Sequence, residues 1–137
     1  MGAYWEGLFG RESPPESRTP AAIRPILHDA AGPIKHDEIL RALKNTKRST
    51  APGPDGRGLE EARGLGAERL SWAFNSCLHL KDVPESWALG RTTLIPKKPD
   101  AADPGDFRPI TITSLLLRLF HKVIAARLMA AAPLPIS

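Results

Sequence analysis

An α+β fold, mostly helical with a single β-hairpin, is what the sequence predicts, and three observations predict it. Apolar residues repeat with helical period over residues 67–80 and again over 115–131. Between them lie two short extended runs, residues 91–96 and 107–112, separated by KKPDAADPGD, a stretch of turn formers. Fourteen prolines and eleven glycines among 137 residues confine regular structure to islands joined by turns.

Tyr4, Trp5, Leu8 and Phe9 fall at helical spacing, so a short docking helix is expected there, broken by the run from Glu12 to Pro20. Residues 1–33 are therefore a lead-in helix and linker. A second helix is expected from Lys35 to Lys47, with Ile39, Leu40 and Leu43 on one side and Arg41, Lys44 and Lys47 towards solvent. Two prolines and three glycines between Arg48 and Gly58 end it. Residues 58–66 are ambiguous. Over Ala67–Leu80, the positions Leu70, Ala73, Phe74, Cys77 and Leu78 build an amphipathic helix. Asp82 to Trp87 reads as a turn into a short helix with Pro84 near its first position. The two extended runs then pair as a hairpin, and Pro109, which has no N–H to donate, requires an edge or outward-facing position. Thr113 or Ser114 caps a long last helix whose Leu116, Leu119, Phe120, Val123, Ile124 and Leu128 share a stripe, to about Ala131. A short tail, residues 132–137, closes the chain, and no internal repeat is present.

A hydrophobic share of 42% suffices for one modest core. The lone Cys77 excludes an internal disulfide and reads as a core residue in a reducing compartment. No positively charged start followed by an apolar run opens the sequence, and Arg118, His121, Lys122 and Arg127 interrupt the apolar segment 115–128. An intracellular protein, nuclear or cytoplasmic and with no membrane partner, is expected. The formal charge is +4, and its excess is localised: residues 35–56 carry five basic and three acidic groups and residues 91–137 seven and three, while the other stretches are slightly acidic. A modest basic excess usually marks only a solvated face, but a localised one is also what a polyphosphate partner requires.

Taken singly, APGPDG at 51–56 is a turn, TTLIPKK a strand ending in lysines, and FRPIT a strand entering a helix. Their order and spacing say more. STAPGPDG (49–56), PESW (84–87), RTTLIPKKPDAADPGDFRPITITS (91–114) and LLLRLFHKVIAARL (115–128) together resemble the fingers motifs of non-LTR retrotransposon reverse transcriptases, with the nearest likeness to site-specific elements of a single reading frame. The resemblance covers residues 34–128, and YWEGLF near the start is similar to the lead-in of that domain. One departure is Arg57–Gly58 and the charged run after them, where the family usually continues with an apolar residue.

The resemblance implies the amino-terminal fingers portion of a right-hand polymerase over residues 34–131, with the last helix packing on a palm. It implies that Lys97, the first lysine after TLIP, and Arg108, the arginine of FRPI, contact the triphosphate of an incoming deoxynucleotide. Lys98 is the competitor for Lys97, although strand alternation points it to the other face. RNA template and DNA primer are implied as partners of the complete enzyme, and Mg²⁺ as its cofactor. No catalytic residue and no cofactor is assigned within this chain: no Asp or Glu follows Asp106, and two-metal chemistry needs clustered carboxylates. Asp100, Asp103 and Asp106 read as solvated turn formers. The alternatives are a non-catalytic basic RNA-binding module and a non-functional remnant of a decayed element. Trp72 and Trp87 read as core or rim anchors, Arg118 and Lys122 as the polar face of the last helix, and the four histidines have no ligand spacing.

Overall fold

A computed structural model describes residues 32–131; the expected lead-in helix at Tyr4–Phe9, most of the linker and the tail lie outside the described residues. The elements run α1 (His36–Lys44), α2 (Leu59–Leu80), α3 (Glu85–Ala88), β1 (Gly90–Pro96), β2 (Phe107–Thr113) and α4 (Leu115–Ala131), with a 3₁₀ turn at Pro104–Asp106. The α+β expectation holds as mixed helix with one two-stranded antiparallel sheet.

Helix α1 is shorter than its expected span. The chain leaves it at Asn45, and the Thr46 hydroxyl donates back to the Ala42 carbonyl at 2.7 Å, closing the last turn. Its buried face is Ile39, Ala42 and Leu43, whereas Leu40, expected on that face, is 57% exposed. The stripe is set by i, i+3, i+4 neighbours, and Leu40 falls outside it. Ile34, just before the helix, is fixed by Asn75 of α2, which accepts from the Ile34 amide at 2.6 Å and donates to its carbonyl at 3.0 Å.

The ambiguous stretch 58–66 resolves as the first two turns of α2. The Glu61 carboxylate accepts the Gly58 amide at 3.0 Å, the acidic half of a capping arrangement, and Leu59 and Ala62 are buried. Gly66, with φ 79° and ψ 158°, breaks the helix into two, a conformation that a residue with a Cβ rarely adopts. Beyond the break, Leu70, Phe74 and Cys77 are buried and Ala73 and Leu78 pack beside them, as the periodicity predicts. Trp72 departs from expectation: among the described residues it is 74% exposed. Trp87 of α3 instead meets Phe74 edge-on, with ring centroids 6.1 Å apart.

Helix α4 is the centre of the assembly. Leu115, Leu116, Leu117, Leu119, Phe120 and Val123 are all buried, so its first two turns are enclosed on more than the single stripe that the sequence suggests. Phe120 lies against Phe74 with centroids 5.4 Å apart. The apolar face expected to need a palm is therefore covered in large part by α1, α2 and α3. Toward its end, Leu128 and Met129 are exposed.

Strands β1 and β2 pair from Gly90↔Thr113 to Pro96↔Phe107. The Lys97 amide donates to the Asp106 carbonyl at 2.7 Å, which makes positions 97 and 106 a hydrogen-bonded pair and, by alternation, Leu94 and Pro109 a non-bonded one. Pro109 thus costs the ladder no bond. Thr92 and Thr111 form another non-bonded pair, where side chains approach most closely, and their hydroxyls bond at 2.7 Å. No residue from Gly90 to Thr113 is buried, so the hairpin projects from the helical body.

Candidate nucleotide and nucleic-acid interface

The register fixes which hairpin side chains share a face. Arg91, Thr93, Ile95 and Lys97 of one arm stand with Arg108, Ile110 and Ile112 of the other, because Ile95 pairs with Arg108 and faces alternate along each strand. Lys97 lies diagonally across from Arg108, a relation that spans roughly 7–8 Å between backbones. The two residues are eleven positions apart in sequence and both are exposed. The Lys97 ammonium donates to the Gly105 carbonyl at 2.7 Å; it forms no ion pair among the described residues, although its charge helps to lower the carboxyl of Asp106, which stands opposite it. The Arg108 side chain makes no hydrogen bond or ion pair among them. A pair of cations on one exposed face, beside Ile95 and Ile110, can neutralise the oxygens of a phosphate chain while the isoleucines contact something apolar.

Lys98 takes a different part. Its ammonium lies 3.2 Å from Asp106, which also accepts the amides of Ala102 and Asp103. Partial desolvation pushes the Asp106 carboxyl up, and the hydrogen bonds from Lys98 and the two amides together outweigh it, so the group sits below the usual aspartate value. Asp106 is a loop organiser as expected of a turn former, and Arg108 is not its partner. Among the described residues no three His, Cys, Asp or Glu side chains come together as a metal site. Cys77 is buried, and desolvation followed by the nearby Asp82 charge raises its thiol above the ordinary value, which suits a packing role.

The turn at APGPDG has a definite place. Gly53 is buried against the start of α4, where a Cβ would lie 2.6 Å from the Thr113 carbonyl oxygen and 2.7 Å from Ser114 Cα. Ser114 caps α4 by accepting the Leu116 amide at 3.2 Å and donates its own hydroxyl to Asp55 at 2.7 Å. The Asp55 carboxylate thus stands near the positive end of the helix dipole. Sequence spacing could not reveal this contact, because its partners are 59 residues apart.

Arg118, Lys122 and Arg127 of α4 are likewise not a free polar face. Arg118 donates to the Ala51 carbonyl, Lys122 donates to the Asn45 carbonyl at 2.7 Å and the Thr46 hydroxyl at 3.0 Å, and Arg127 donates to the carbonyls of Gly32 and Pro33. Arg127 also forks onto Glu38, at 2.6 and 2.8 Å. That hydrogen bond, opposed by desolvation and helped by the Lys35 amide, lowers the Glu38 carboxyl to about 2, and raises Arg127 above its ordinary value. Three cations at one-turn spacing therefore bind down the segment before α1, the end of α1 and the APGPDG turn. No described helix is long and apolar enough to cross a membrane.

No family model matches the chain. Individual relatives do. It is 45% identical over 104 residues to the Retrovirus-related Pol polyprotein from type-1 retrotransposable element R2 of Popillia japonica, covering 74% of this chain and 14% of that protein. The R2 Pol polyprotein of Nasonia vitripennis is 38% identical over 96 residues, 70% of this chain and 9% of its own length. A Probable RNA-directed DNA polymerase from transposon BS of Drosophila melanogaster is 30% identical over 101 residues, 70% of this chain and 11% of that protein. The chain thus spans about one-seventh or less of the relatives it matches. With most of its length aligned to them, and with the turn, hairpin and helix motifs in one order, the chain belongs to the reverse-transcriptase Pol polyproteins of non-LTR retrotransposons, of which it matches a short segment.

Proposed function

We propose that residues 34–131 are a fingers portion of an RNA-directed DNA polymerase and that Lys97 and Arg108 grip the triphosphate of the incoming deoxynucleotide. The observation that carries this reading is their shared exposed face at the hairpin tip, with neither side chain in an ion pair among the described residues. The Arg108 guanidinium would take two non-bridging oxygens at once and the Lys97 ammonium a third, and both would stabilise the charge that builds on pyrophosphate as it leaves. RNA template and DNA primer are the other partners of the complete enzyme. Mg²⁺, the cofactor expected there, does not fit any carboxylate group among the described residues; its ligands belong to a palm.

The test is single-nucleotide incorporation by a complete polymerase that contains this stretch, read beside a melting curve. Arg108→Ala should lose roughly 2–4 kcal/mol of transition-state stabilisation, with Lys97→Ala similar. Arg108→Lys should recover part of it, because an ammonium cannot reproduce the fork. Lys98→Ala should leave nucleotide use near wild type. Unchanged apparent nucleotide affinity and maximal rate in Arg108→Ala would remove it from the site.

A further inference from the structure

The two basic segments of the sequence, 35–56 and 91–137, are far apart along the chain, and the hairpin tip accounts for only part of the second. They meet at a cleft of about 350 Å³ between the turn that follows α1 and the first turns of α4, whose polar lining includes Thr46, Lys47, Thr50, Arg118 and Lys122. Three of its lining residues are cationic and none is acidic. Among the described residues neither Lys47, Arg118 nor Lys122 has a carboxylate within ion-pair distance. Lys122 and Arg118 are tied to backbone carbonyls, which fixes their charges in place without neutralising them. The Arg118 Nε is shielded from solvent and has no hydrogen-bond partner, so this guanidinium has donor capacity and charge to spare. Lys47 is exposed, and the turn that carries it is closed by the Thr50 amide donating to the Lys47 carbonyl at 3.0 Å. A half-buried cation without a counter-ion is costly, and an anion in the cleft would relieve that cost for Arg118, with the exposed Lys122 charge beside it.

We infer that this cleft binds a backbone phosphate of a polynucleotide strand, separately from the hairpin face. The inference rests on the reading of the chain as part of a nucleic-acid polymerase. A phosphodiester suits the site for three reasons. It is an oxyanion for fixed cations, it accepts from a hydroxyl such as Thr50, and it demands no base recognition from a lining that has no exposed aromatic residue. Lys47 is the flexible point charge that closes on the strand; Arg118 and Lys122 form the preset floor.

The experiment is fluorescence anisotropy of the 137-residue chain with a labelled single-stranded RNA, and with DNA of the same sequence, over a range of salt concentrations. Lys47→Ala should weaken binding about threefold to tenfold and lower the slope of log K against log salt by about one, as expected for one lost phosphate contact. The Lys47 side chain has no hydrogen-bond or ion-pair partner among the described residues, so the variant should melt like the parent. Lys81→Asn removes an equal charge outside the cleft, at a left-handed cap position that Asn tolerates, and should change neither affinity nor slope comparably. Equal loss on RNA and DNA assigns the shared phosphodiester; loss on RNA alone assigns an RNA strand. Unaltered affinity in Lys47→Ala, or equal losses in Lys47→Ala and Lys81→Asn, would overturn the cleft site. Neither result touches the triphosphate reading, which stands or falls on nucleotide incorporation by the Lys97 and Arg108 variants.

Discussion

Among single residues, the Glu38–Arg127 pair has the clearest energetic consequence. Its side chains are 19% and 13% exposed, and Arg127 also donates to two carbonyls of the segment leading into α1. Removing the carboxylate takes the charged acceptor from a partly buried guanidinium, so Glu38→Gln should cost about 1.5–3 kcal/mol at neutral pH, the scale of a hydrogen bond to a charged group. The sign of the pH dependence follows from the direction of the shift. Its partners hold the folded carboxyl down at about 2, below the ordinary glutamate value of 4.5, so the contribution is fully present above about 4.5 and is lost as pH falls towards 2. Chemical denaturation of wild type and Glu38→Gln from pH 7 to 2 should therefore give curves that converge across that acid window. Parallel curves would show that the pair contributes nothing through ionisation. This contact was not legible beforehand, because Glu38 and Arg127 are 89 residues apart and each, in its local helix pattern, is an ordinary polar-face residue.

For whole elements, local pattern and tertiary contact divide the outcome. The helix over 67–80, the hairpin and the capped last helix could be read because periodicity, turn residues and a cap are local signals. Leu40 and Trp72 were misplaced because the face that a helix buries is chosen by its neighbours, and Gly66 was missed because a break inside a charged, glycine-containing run has no sequence signature of its own. The APGPDG turn could be read as a turn, but its docking against α4 could not. That docking makes a paired prediction. Gly53→Ala would set a methyl against the backbone of Thr113 and Ser114, which cannot swing aside like a flexible side chain, and should destabilise by about 1–3 kcal/mol. Gly64→Ala lies within α2 with nothing near its added Cβ and should stabilise by about 0.5–1 kcal/mol through helix propensity. Thermal melts of the two variants should shift in opposite directions. A neutral Gly53→Ala would mean that the turn does not press on α4.

Across the whole molecule, the uneven distribution of burial sets where the chain can move. Helices α1, α2 and α4 share one core through Ile39, Phe74, Leu119 and their neighbours, and the cations of α4 fasten the connecting segments to it. The hairpin has no buried residue, and a two-stranded sheet without a covered face is marginal in water. Opening of the hairpin therefore need not disturb the helices, and under the proposed function a segment that closes on a nucleotide would benefit from low local stability. Hydrogen exchange reads this directly. The amides of Thr93, Ile95 and Ile110 lie in bonded pairs of the ladder, yet they should exchange about a hundredfold or more faster than those of Phe74 and Leu119, because local opening exposes them without global unfolding. In a complete polymerase, primer–template and deoxynucleotide should slow the hairpin amides and leave those of α2 nearly unchanged, since ligand contacts would order only the projecting element. Hairpin amides as slow as those of α4 in the free chain would show that the strands are packed on the body, and the projecting hairpin would then be the wrong description of how this segment meets its ligand.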